Sequence, residues 1–264
     1  YDPDNLENLK KKVTKKTKMI FVENPGSNTF EFQDLSKIVN LANKKKILTF
    51  LDNTWGTPLY LKPLKIGFDM SFSSTTKYIS GHSDAMGGSL AVNKKVFKKI
   101  MLFYKLSGYR LSADEAYLII RGLRTLDVRL KQHYENTKIV INFLKKQKKI
   151  KEILFPYKHS SKRYQLWKKY YSGATGLFSI VIKSRKKSSV IKFVNSLELF
   201  GIGYSWGGFE SLALYQDLQS DTKYTKKRFY LKLAKDEHIV RLHIGLEDPK
   251  DLIQDLKKSL RYIK

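Results

Sequence analysis

Residues 69–84, which read DMSFSSTTKYISGHSD, place a lysine directly behind a run of hydroxyl side chains. Lys77 follows Ser74 and Thr76, and Asp52 ends a strongly apolar stretch further upstream. A lysine amine can form a Schiff base with an aldehyde, a carboxylate can keep a pyridine nitrogen protonated, and hydroxyl groups can bind phosphate. These are the residue types that a pyridoxal phosphate site requires. Spacing alone leaves open the alternative that Lys77 is a surface lysine near an ordinary strand-end turn.

Residues 203–207, GYSWG, show the Gly-x-Ser-x-Gly spacing of the nucleophile elbow of α/β-hydrolases. Carboxylates and histidines follow in the order found in hydrolases, namely Asp217, Asp221, His238 and His243. A functional elbow lies between an apolar strand and a helix, whereas glycines interrupt the sequence on both sides of Ser205. We therefore expect Ser205 to lie in a turn or in a substrate-binding loop, with a hydrolase nucleophile as the weaker interpretation.

Several classes of chemistry lack their sequence signatures. The chain has 264 residues, no cysteine and five histidines, and no His-Glu-x-x-His pattern occurs. Cysteine-ligated zinc, iron–sulfur clusters, disulfide scaffolds and cysteine nucleophiles are therefore excluded. Neither a Walker phosphate loop nor a Gly-x-Gly-x-x-Gly motif after a strand is present, so we predict no metal, no nucleoside triphosphate and no dinucleotide.

The chain is strongly basic, because 51 Lys and Arg residues stand against 24 Asp and Glu residues, a formal net charge of +27. Such a balance is typical of proteins that bind nucleic acid or anionic membranes. Only nine of the basic residues are arginines, however, and the lysines form short clusters along the whole chain, as at 10–12, 44–46 and 145–151. Arginine supplies the bidentate contacts to guanine and phosphate. We therefore interpret the charge as a solvated lysine surface and predict no specific nucleic-acid partner.

The elements that must position these residues alternate between strand and helix in the first half of the chain. Short apolar runs predict strands at 19–22, 47–51, 68–72 and 90–92. Apolar residues at helical spacing behind Asp34 predict a helix from residue 35 to residue 42. A longer periodic segment from Ser112 to about residue 149, interrupted near Gly122, predicts one or two long helices. This alternation indicates a parallel α/β sheet.

The second half of the chain shows strand and helix signals in a different order. Strands are predicted at 176–182 and 239–246, and helices at 188–199 and behind the cap Asp248-Pro249. We therefore predict an α/β chain of two domains. The part with the mostly parallel sheet covers residues 1–123, and a smaller α+β domain covers residues 124–264.

The run from Asp69 to Ser83 resembles, at each defined position, the pyridoxal phosphate attachment signature of the Cys/Met metabolism enzymes. Further segments resemble the same family in the same order: LDNTWGTP (51–58), RGLRTLDVRLKQH (121–133), GYSWGGFESL (203–212) and VRLHIGLEDPKDLIQDL (240–256). The resemblance extends over essentially the whole chain and implies fold-type I, the aspartate aminotransferase-like fold. It implies that residues 1–123 are the remainder of the large cofactor-binding domain of that fold. Within the family, VENPGSNT (22–29) and YSWGGFESL are most similar to bacterial cystathionine β-lyases, and γ-acting relatives usually carry Asn where Ser27 aligns.

The resemblance assigns cofactor roles to individual residues. It implies that Lys77 forms the internal Schiff base with pyridoxal phosphate and shuttles protons. It implies that Asp52 pairs with the pyridine nitrogen of the cofactor. Ser74 and Thr76 are then expected to bind the cofactor phosphate.

The resemblance also assigns substrate roles. It implies that Arg241 binds the substrate carboxylate through its planar fork of donors, with Ser205 assisting. Tyr204 and Trp206 are expected to shape the wall of the pocket. A strand arginine that reaches solvent is the alternative for Arg241.

The family resemblance implies a reaction, which is the elimination of cystathionine to homocysteine, pyruvate and ammonia in methionine biosynthesis. Cystathionine γ-lyase or γ-synthase activity is the alternative within the family, and a catalytically inactive basic binding module is the alternative outside it. We expect a homo-oligomer, either a dimer or a tetramer. Since the sequence shows neither a hydrophobic secretion signal nor an apolar stretch of membrane-spanning length, we expect a cytoplasmic location and no membrane partner.

The sequence departs from the family at its beginning. Family members carry, before the position of Tyr1, a long segment with a glycine-containing phosphate loop, a tyrosine that stacks on the cofactor, and residues that reach the phosphate of a neighbouring subunit. No counterpart of that segment is present in these 264 residues. We therefore interpret the chain as a fragment, a split gene product or an eroded enzyme.

Overall fold

The computed structural model describes residues 1–218 and 232–264. The chain divides into two compact units, each of which is made of three separate segments of the sequence. Unit one comprises Tyr1–Gly26, Glu31–Leu126 and Ser160–Gly173, and unit two comprises Ser27–Phe30, Asp127–His159 and Ala174–Lys264. The predicted domain boundary between residues 123 and 124 stays a prediction.

Both helices and strands occur throughout the described part of the chain. The helices are α1 Leu6–Lys12, α2 Leu35–Lys45, α3 Thr57–Tyr60, α4 Pro63–Ile66, α5 Lys94–Ser107, α6 Ala113–Leu123, α7 Leu126–Leu144, α8 Lys162–Tyr170, α9 Lys187–Asn195 and α10 Pro249–Leu260. The strands are β1 Met19–Glu23, β2 Leu48–Asp52, β3 Met70–Ser74, β4 Gly88–Val92, β5 Ile150–Leu154, β6 Leu177–Lys183, β7 Gly201–Ile202, β8 Leu212–Gln216 and β9 Glu237–His243. None of the helices in the described ranges is long and apolar enough to cross a membrane.

Unit one is built on a sheet with the strand order β1-β2-β3-β4. The first three strands are parallel and β4 is antiparallel to β3. One face of the sheet is covered by α2, whose buried Ile38 and Ala42 lie at helical spacing and whose Asp34 cap accepts a hydrogen bond from the Lys37 amide. Because parallel strands end at the same edge, this sheet brings the residues that follow β2 and β3 together.

The register between β2 and β3 is fixed by a pair of hydrogen bonds. The Thr49 amide donates to Asp69 Oδ2 at 2.9 Å, and the Asp69 amide donates to Thr49 Oγ1 at 2.9 Å. Burial by itself would raise the pKa of Asp69, but the hydrogen bonds from Thr49 and Asn93 and the charge of Lys95 lower it below its ordinary value. Asp69 is therefore a charged, satisfied structural group directly before β3.

The segment that carries Lys77 rests against α6 through a close backbone approach. A Cβ atom at Gly122 would lie 2.1 Å from the Ser80 carbonyl oxygen and 2.6 Å from the Ile79 carbonyl oxygen. Only glycine leaves room for this contact. The glycine that interrupts the predicted long helix therefore has a packing role, and α6 ends directly after it.

Unit two is built on a sheet with the strand order β5-β6-β9-β8-β7. The central strands β6 and β9 are antiparallel and pair over seven residues. Every residue of β9 is buried, although the strand carries ionisable side chains at Glu237, His238, Arg241 and His243. Buried polar side chains require hydrogen-bond partners, so these side chains of β9 must be paired with groups on neighbouring segments.

Candidate functional site

The carboxyl end of β2 holds Asp52 in a defined orientation. Its Oδ1 accepts a hydrogen bond from the Thr54 amide at 2.9 Å and from the Thr54 hydroxyl at 2.6 Å. Asp52 is half-buried and Thr54 is buried. A side chain that accepts from the amide two residues ahead forms an Asx turn, which ends the strand. Two donors on one oxygen orient the carboxylate and leave Oδ2 as its second acceptor atom.

Thr54 also connects β2 to the end of β3. The Ser74 amide donates to Thr54 Oγ1 at 2.9 Å, and the same hydroxyl donates its proton to Asp52. The Asn53 amide donates to the Phe72 carbonyl oxygen at 2.7 Å. Two neighbouring strand ends are therefore joined through one hydroxyl group, and Asp52 and Ser74 lie at the same edge of the sheet.

The hydroxyl groups after β3 have different environments. Thr76 Oγ1 accepts from the Gly87 amide at 2.9 Å and donates to the Gly87 carbonyl oxygen at 3.3 Å. Thr75 Oγ1 is buried with no hydrogen-bond partner within the described part of the chain. Ser74 is half-buried, and residues 1–218 and 232–264 provide no hydrogen bond to its hydroxyl. Ser74 is thus the hydroxyl best placed for an anion, while Thr76 would have to exchange its contact with Gly87.

Lys77 lies on a hydrogen-bonded turn between β3 and β4. Its amide donates to the Ser74 carbonyl oxygen at 3.2 Å, and its own carbonyl oxygen accepts from the Gly81 amide at 2.8 Å. Gly81 has a φ of 70°, a conformation that favours glycine. The side chain of Lys77 is half-buried, so its amine is partly removed from water on a backbone that is held at both ends.

These groups fit pyridoxal phosphate by their chemistry. The cofactor needs an amine, a carboxylate for its ring nitrogen and donors for its phosphate. Lys77, Asp52 and Ser74 supply one of each, and the buried, unpartnered hydroxyl of Thr75 adds a second donor to the hydroxyl run. Within the described residues no group of three or more His, Asp or Glu is arranged to hold a metal ion.

Arg241 lies in the middle of β9, beside Ser179 of β6 and Leu214 of β8. Its side chain is only 8% exposed. Nη2 donates to the Tyr204 carbonyl oxygen at 2.5 Å, and Nη1 donates to Asn28 Oδ1 at 3.4 Å. These contacts hold the planar guanidinium against the loop 203–208, so the alternative of an arginine that reaches solvent does not describe it.

The loop 203–208 carries the three remaining predicted residues. Tyr204 is 75% exposed, Ser205 is exposed and Trp206 is half-buried. The preceding strand β7 has two residues, and no helix follows it between residues 203 and 211. The strand–turn–helix context of a nucleophile elbow is therefore missing here, which supports a loop role for Ser205 over the hydrolase interpretation.

The carboxylates and histidines of the hydrolase pattern differ in their contacts. Asp217 forms an ion pair with Lys187, and His238 contacts the Ser184 carbonyl oxygen. His243 contacts the loop through Gly207 and Gly208. Asp221 falls outside the described residues.

A buried histidine pair lies behind this loop. The rings of His133 and His243 are 5.3 Å apart, and His133 Nδ1 contacts the Ile244 carbonyl oxygen at 2.8 Å. Burial lowers the pKa of His133 from its ordinary value of 6.5 to about 4; the hydrogen bond to Ile244 opposes this effect and the charge of Arg129 adds to it. His133 is therefore neutral in the folded protein near neutral pH.

The sequence patterns assign no role to Thr54 or Asn28, although both residues contact predicted site residues. The signal for Thr54 was the sequence Asp-x-Thr at a strand end, which is typical of an Asx turn. The signal for Asn28 was its place in a Pro-Gly-Ser-Asn turn, where it adopts a φ of 68°. Neither signal reveals the partner, because Ser74 and Arg241 are distant in the sequence.

A family model of the Cys/Met metabolism PLP-dependent enzymes matches residues 1–261. The chain is 38% identical to a putative cystathionine beta-lyase of Rhizobium johnstonii over 98% of this chain and 65% of that protein. It is equally 38% identical to an L-alanine/L-glutamate racemase of Wolbachia pipientis over 98% of this chain and 63% of the relative. Cystathionine beta-lyase MetC of Escherichia coli is 35% identical over 97% of this chain and 65% of its own length.

Solved structures agree with these matches. Cystathionine gamma-lyase from Lactobacillus plantarum, complexed with L-serine, has a TM-score of 0.89 at 26% identity and covers 100% of this chain and 68% of its own. The metB protein from Corynebacterium glutamicum has a TM-score of 0.88 at 30% identity over 99% of this chain and 67% of its own. The chain belongs to the Cys/Met metabolism PLP-dependent enzyme family, whose cofactor is pyridoxal phosphate. The predicted fold-type I architecture is confirmed, and the chain spans 63–65% of the length of the three curated relatives named above.

We predict that His133 makes folding stability depend on pH between 6.5 and about 4. In that range the unfolded chain takes up a proton at this position and the folded chain does not, so the free energy of unfolding falls as the pH decreases. The difference between these two pKa values corresponds to about 3 kcal/mol of folding stability. This contribution is fully present above pH 6.5 and is lost as the pH falls towards about 4. Denaturant unfolding at a series of pH values measures the slope.

The variant His133→Gln keeps a donor for the Ile244 carbonyl oxygen and removes the titration. We expect a smaller loss of stability on acidification in this variant than in the original chain. His159→Gln, which changes an exposed histidine, is the matched control and should leave the slope unchanged. Identical slopes for all three proteins would show that His133 does not contribute.

Proposed function

We propose that this member of the Cys/Met metabolism family acts as a carbon–sulfur lyase on cystathionine and releases homocysteine, pyruvate and ammonia with the uptake of one water. The observation that carries the proposal is the pairing of Asp52 with Ser74 through Thr54, ahead of Lys77. The relatives named cystathionine beta-lyase, at 34–38% identity, support the choice of substrate. We further propose a cytoplasmic homo-oligomer that acts in methionine biosynthesis.

Lys77 and Asp52 would do the proton chemistry. When bound, pyridoxal phosphate supplies an electron sink that stabilises negative charge at the substrate α-carbon. Lys77 Nζ would attach the cofactor in the resting state, accept the proton from the α-carbon and deliver it to a leaving group. Asp52, oriented by its two hydrogen bonds from Thr54, would hold the ring nitrogen protonated. Ser74 would donate its hydroxyl to the phosphate, and Thr76 would be a further donor once its hydroxyl exchanges the contact with Gly87 for the phosphate.

Arg241 and the loop 203–208 would bind and orient the amino-acid substrate. A planar guanidinium binds a carboxylate through two parallel hydrogen bonds, which fixes direction as well as position. The contacts of Arg241 with Tyr204 and Asn28 restrict its rotation, so the fork is oriented before substrate arrives. Ser205 would donate to the same carboxylate, and Tyr204 and Trp206 would form the wall of the pocket.

Two other reactions are compatible with the same residues. A γ-acting activity is supported by relatives such as the cystathionine gamma-lyase of Macaca fascicularis, 31% identical over 98% of this chain. Amino-acid racemisation is supported by the racemase of Wolbachia pipientis at 38% identity. Each of these reactions begins with movement of the α-proton, which is the role proposed for Lys77 Nζ.

Product analysis separates the three reactions. The chain is supplied with pyridoxal phosphate and offered cystathionine and, separately, L-alanine. We expect pyruvate and homocysteine in equal amounts from cystathionine. Release of 2-oxobutyrate and cysteine would replace the proposal with a γ-lyase, and formation of D-alanine without any keto acid would replace it with a racemase.

We predict that Lys77→Ala abolishes covalent attachment of pyridoxal phosphate, because the bond requires an amine on this turn. Borohydride reduction followed by peptide mapping should place the pyridoxyl label on Lys77 in the original chain and on no residue in the variant. Lys105→Ala, which removes an exposed lysine of α5, is the matched control and should retain the label. A label on another lysine in the original chain would overturn the assignment.

We predict that Asp52→Asn retains the cofactor and lowers kcat by about 100-fold or more, since an amide does not hold the ring nitrogen protonated. The variant is nearly isosteric, and its oxygen still accepts from Thr54. Borohydride labelling and initial rates of pyruvate release are measured on the same preparation. Asp114→Asn, at an exposed position in α6, should match the original chain, whereas full activity of Asp52→Asn would exclude the proposed role.

A further inference from the structure

The strand β9 contacts the loop 203–208 at a second point beyond Arg241. His243 lies two residues after Arg241, so both side chains leave the same face of the strand. The Gly207 amide donates to His243 Nε2 at 3.1 Å, and the Gly208 carbonyl oxygen is also 3.1 Å from this nitrogen. In one tautomer Nε2 accepts from Gly207, and in the other it donates to Gly208, so either tautomer binds the end of the loop.

The atoms around the His243 ring restrict its rotation. The side chain is 1% exposed, and the His133 ring is 5.3 Å away. A Cβ atom at Gly176 would lie 3.2 Å from Nδ1 and Cε1 of the ring and 2.4 Å from the Ile244 carbonyl oxygen. Gly176 therefore leaves the space that the ring occupies, and the ring has little freedom to turn away from the loop.

The conformation of the loop 203–208 also depends on its last two residues, which are glycines. Gly207 has a φ of 85°, a conformation that other residues rarely adopt, and both Gly207 and Gly208 are buried. Arg241 binds the Tyr204 carbonyl oxygen at the opposite end of the loop. Ser205 and Trp206 thus form a two-residue tip between two anchored backbone positions.

We infer that His243 is a positioning residue that, together with Arg241, fixes the backbone of the loop 203–208 and thereby the placement of Ser205 and Trp206. The inference about substrate rests on the proposed function, in which this loop binds the carboxylate of an amino acid. The anchoring itself does not depend on that function, because it consists of contacts within unit two.

The test compares His243→Leu with His243→Gln. Leucine has a similar volume and no hydrogen-bonding group, whereas glutamine offers both an acceptor for the Gly207 amide and a donor for the Gly208 carbonyl oxygen. Hydrogen exchange measured by mass spectrometry on peptides spanning residues 201–210 should be at least tenfold faster in the leucine variant. The glutamine variant should exchange within about threefold of the original chain.

His238→Leu is the matched control, because His238 is a buried histidine of the same strand that contacts the Ser184 carbonyl oxygen and not the loop. Its loop peptides should exchange at the original rate. Should His243→Leu fail to fold, His243→Asn, whose amide is too short to reach the loop, replaces it. An unchanged hydrogen-exchange rate of the loop in the His243 variant, or an equal increase of that rate in His238→Leu, would overturn the inference.

The effect of His243 on substrate binding is measured separately, through KM and kcat. We expect His243→Leu to raise KM for cystathionine by about tenfold while kcat changes less than threefold, since a misplaced carboxylate-binding loop weakens the ground state and the transition state alike. Faster hydrogen exchange in the loop with an unchanged KM would overturn the inference that the anchored loop binds substrate, but not the inference that His243 anchors the loop. Absence of any reaction in the original chain would overturn the proposed function, and the exchange comparison would still decide whether His243 anchors the loop.

Discussion

The relative placement of Asp52 and Ser74 in unit one depends on the hydroxyl group of Thr54, which contacts both residues. This hydroxyl accepts from the Ser74 amide and donates to Asp52, so the ends of β2 and β3 are joined at the point where both strands stop. Parallel pairing alone places the two ends at one edge but does not orient the side chains. The Thr54 bridge adds that orientation, and it lies between the group proposed for the ring nitrogen and the group proposed for the phosphate.

The predictable part of this site is the part encoded locally. Asp52 at the end of an apolar strand and Lys77 behind a hydroxyl run are patterns within a few residues, and the structure places both near the same sheet edge. The interruption near Gly122, within the periodic segment from Ser112 to about residue 149, is also a local pattern, and α6 ends directly after it. In the second sheet the predicted strands at 176–182 and 239–246 correspond to β6 and β9, whereas the sequence patterns predict neither β5 nor β8. The burial of Glu237 and His243 in β9 follows from the central place of that strand in the sheet.

Roles that depend on contacts between distant residues required the structure. Thr54 gains its role from Ser74, twenty residues later, and Asn28 gains its role from Arg241. The predicted phosphate role of Thr76 stays a prediction, and only the structure shows that its hydroxyl contacts Gly87 and would have to exchange this contact for phosphate. A hydroxyl in a suggestive run shows its donor capacity in the sequence but not its existing partners.

The two anchor points of the loop 203–208 have a consequence for specificity. Arg241 binds the Tyr204 carbonyl oxygen, and His243 binds Gly207 or Gly208, so both contacts are made to backbone atoms. Backbone contacts do not depend on the side chains at the tip of the loop. Substitution of Tyr204, Ser205 or Trp206 would therefore change the pocket wall of the proposed function without releasing the loop, which is how one scaffold can host different functions. In the proposed function the side chains at the tip of the loop would contact the substrate, while Arg241 and His243 of β9 hold the backbone of the loop.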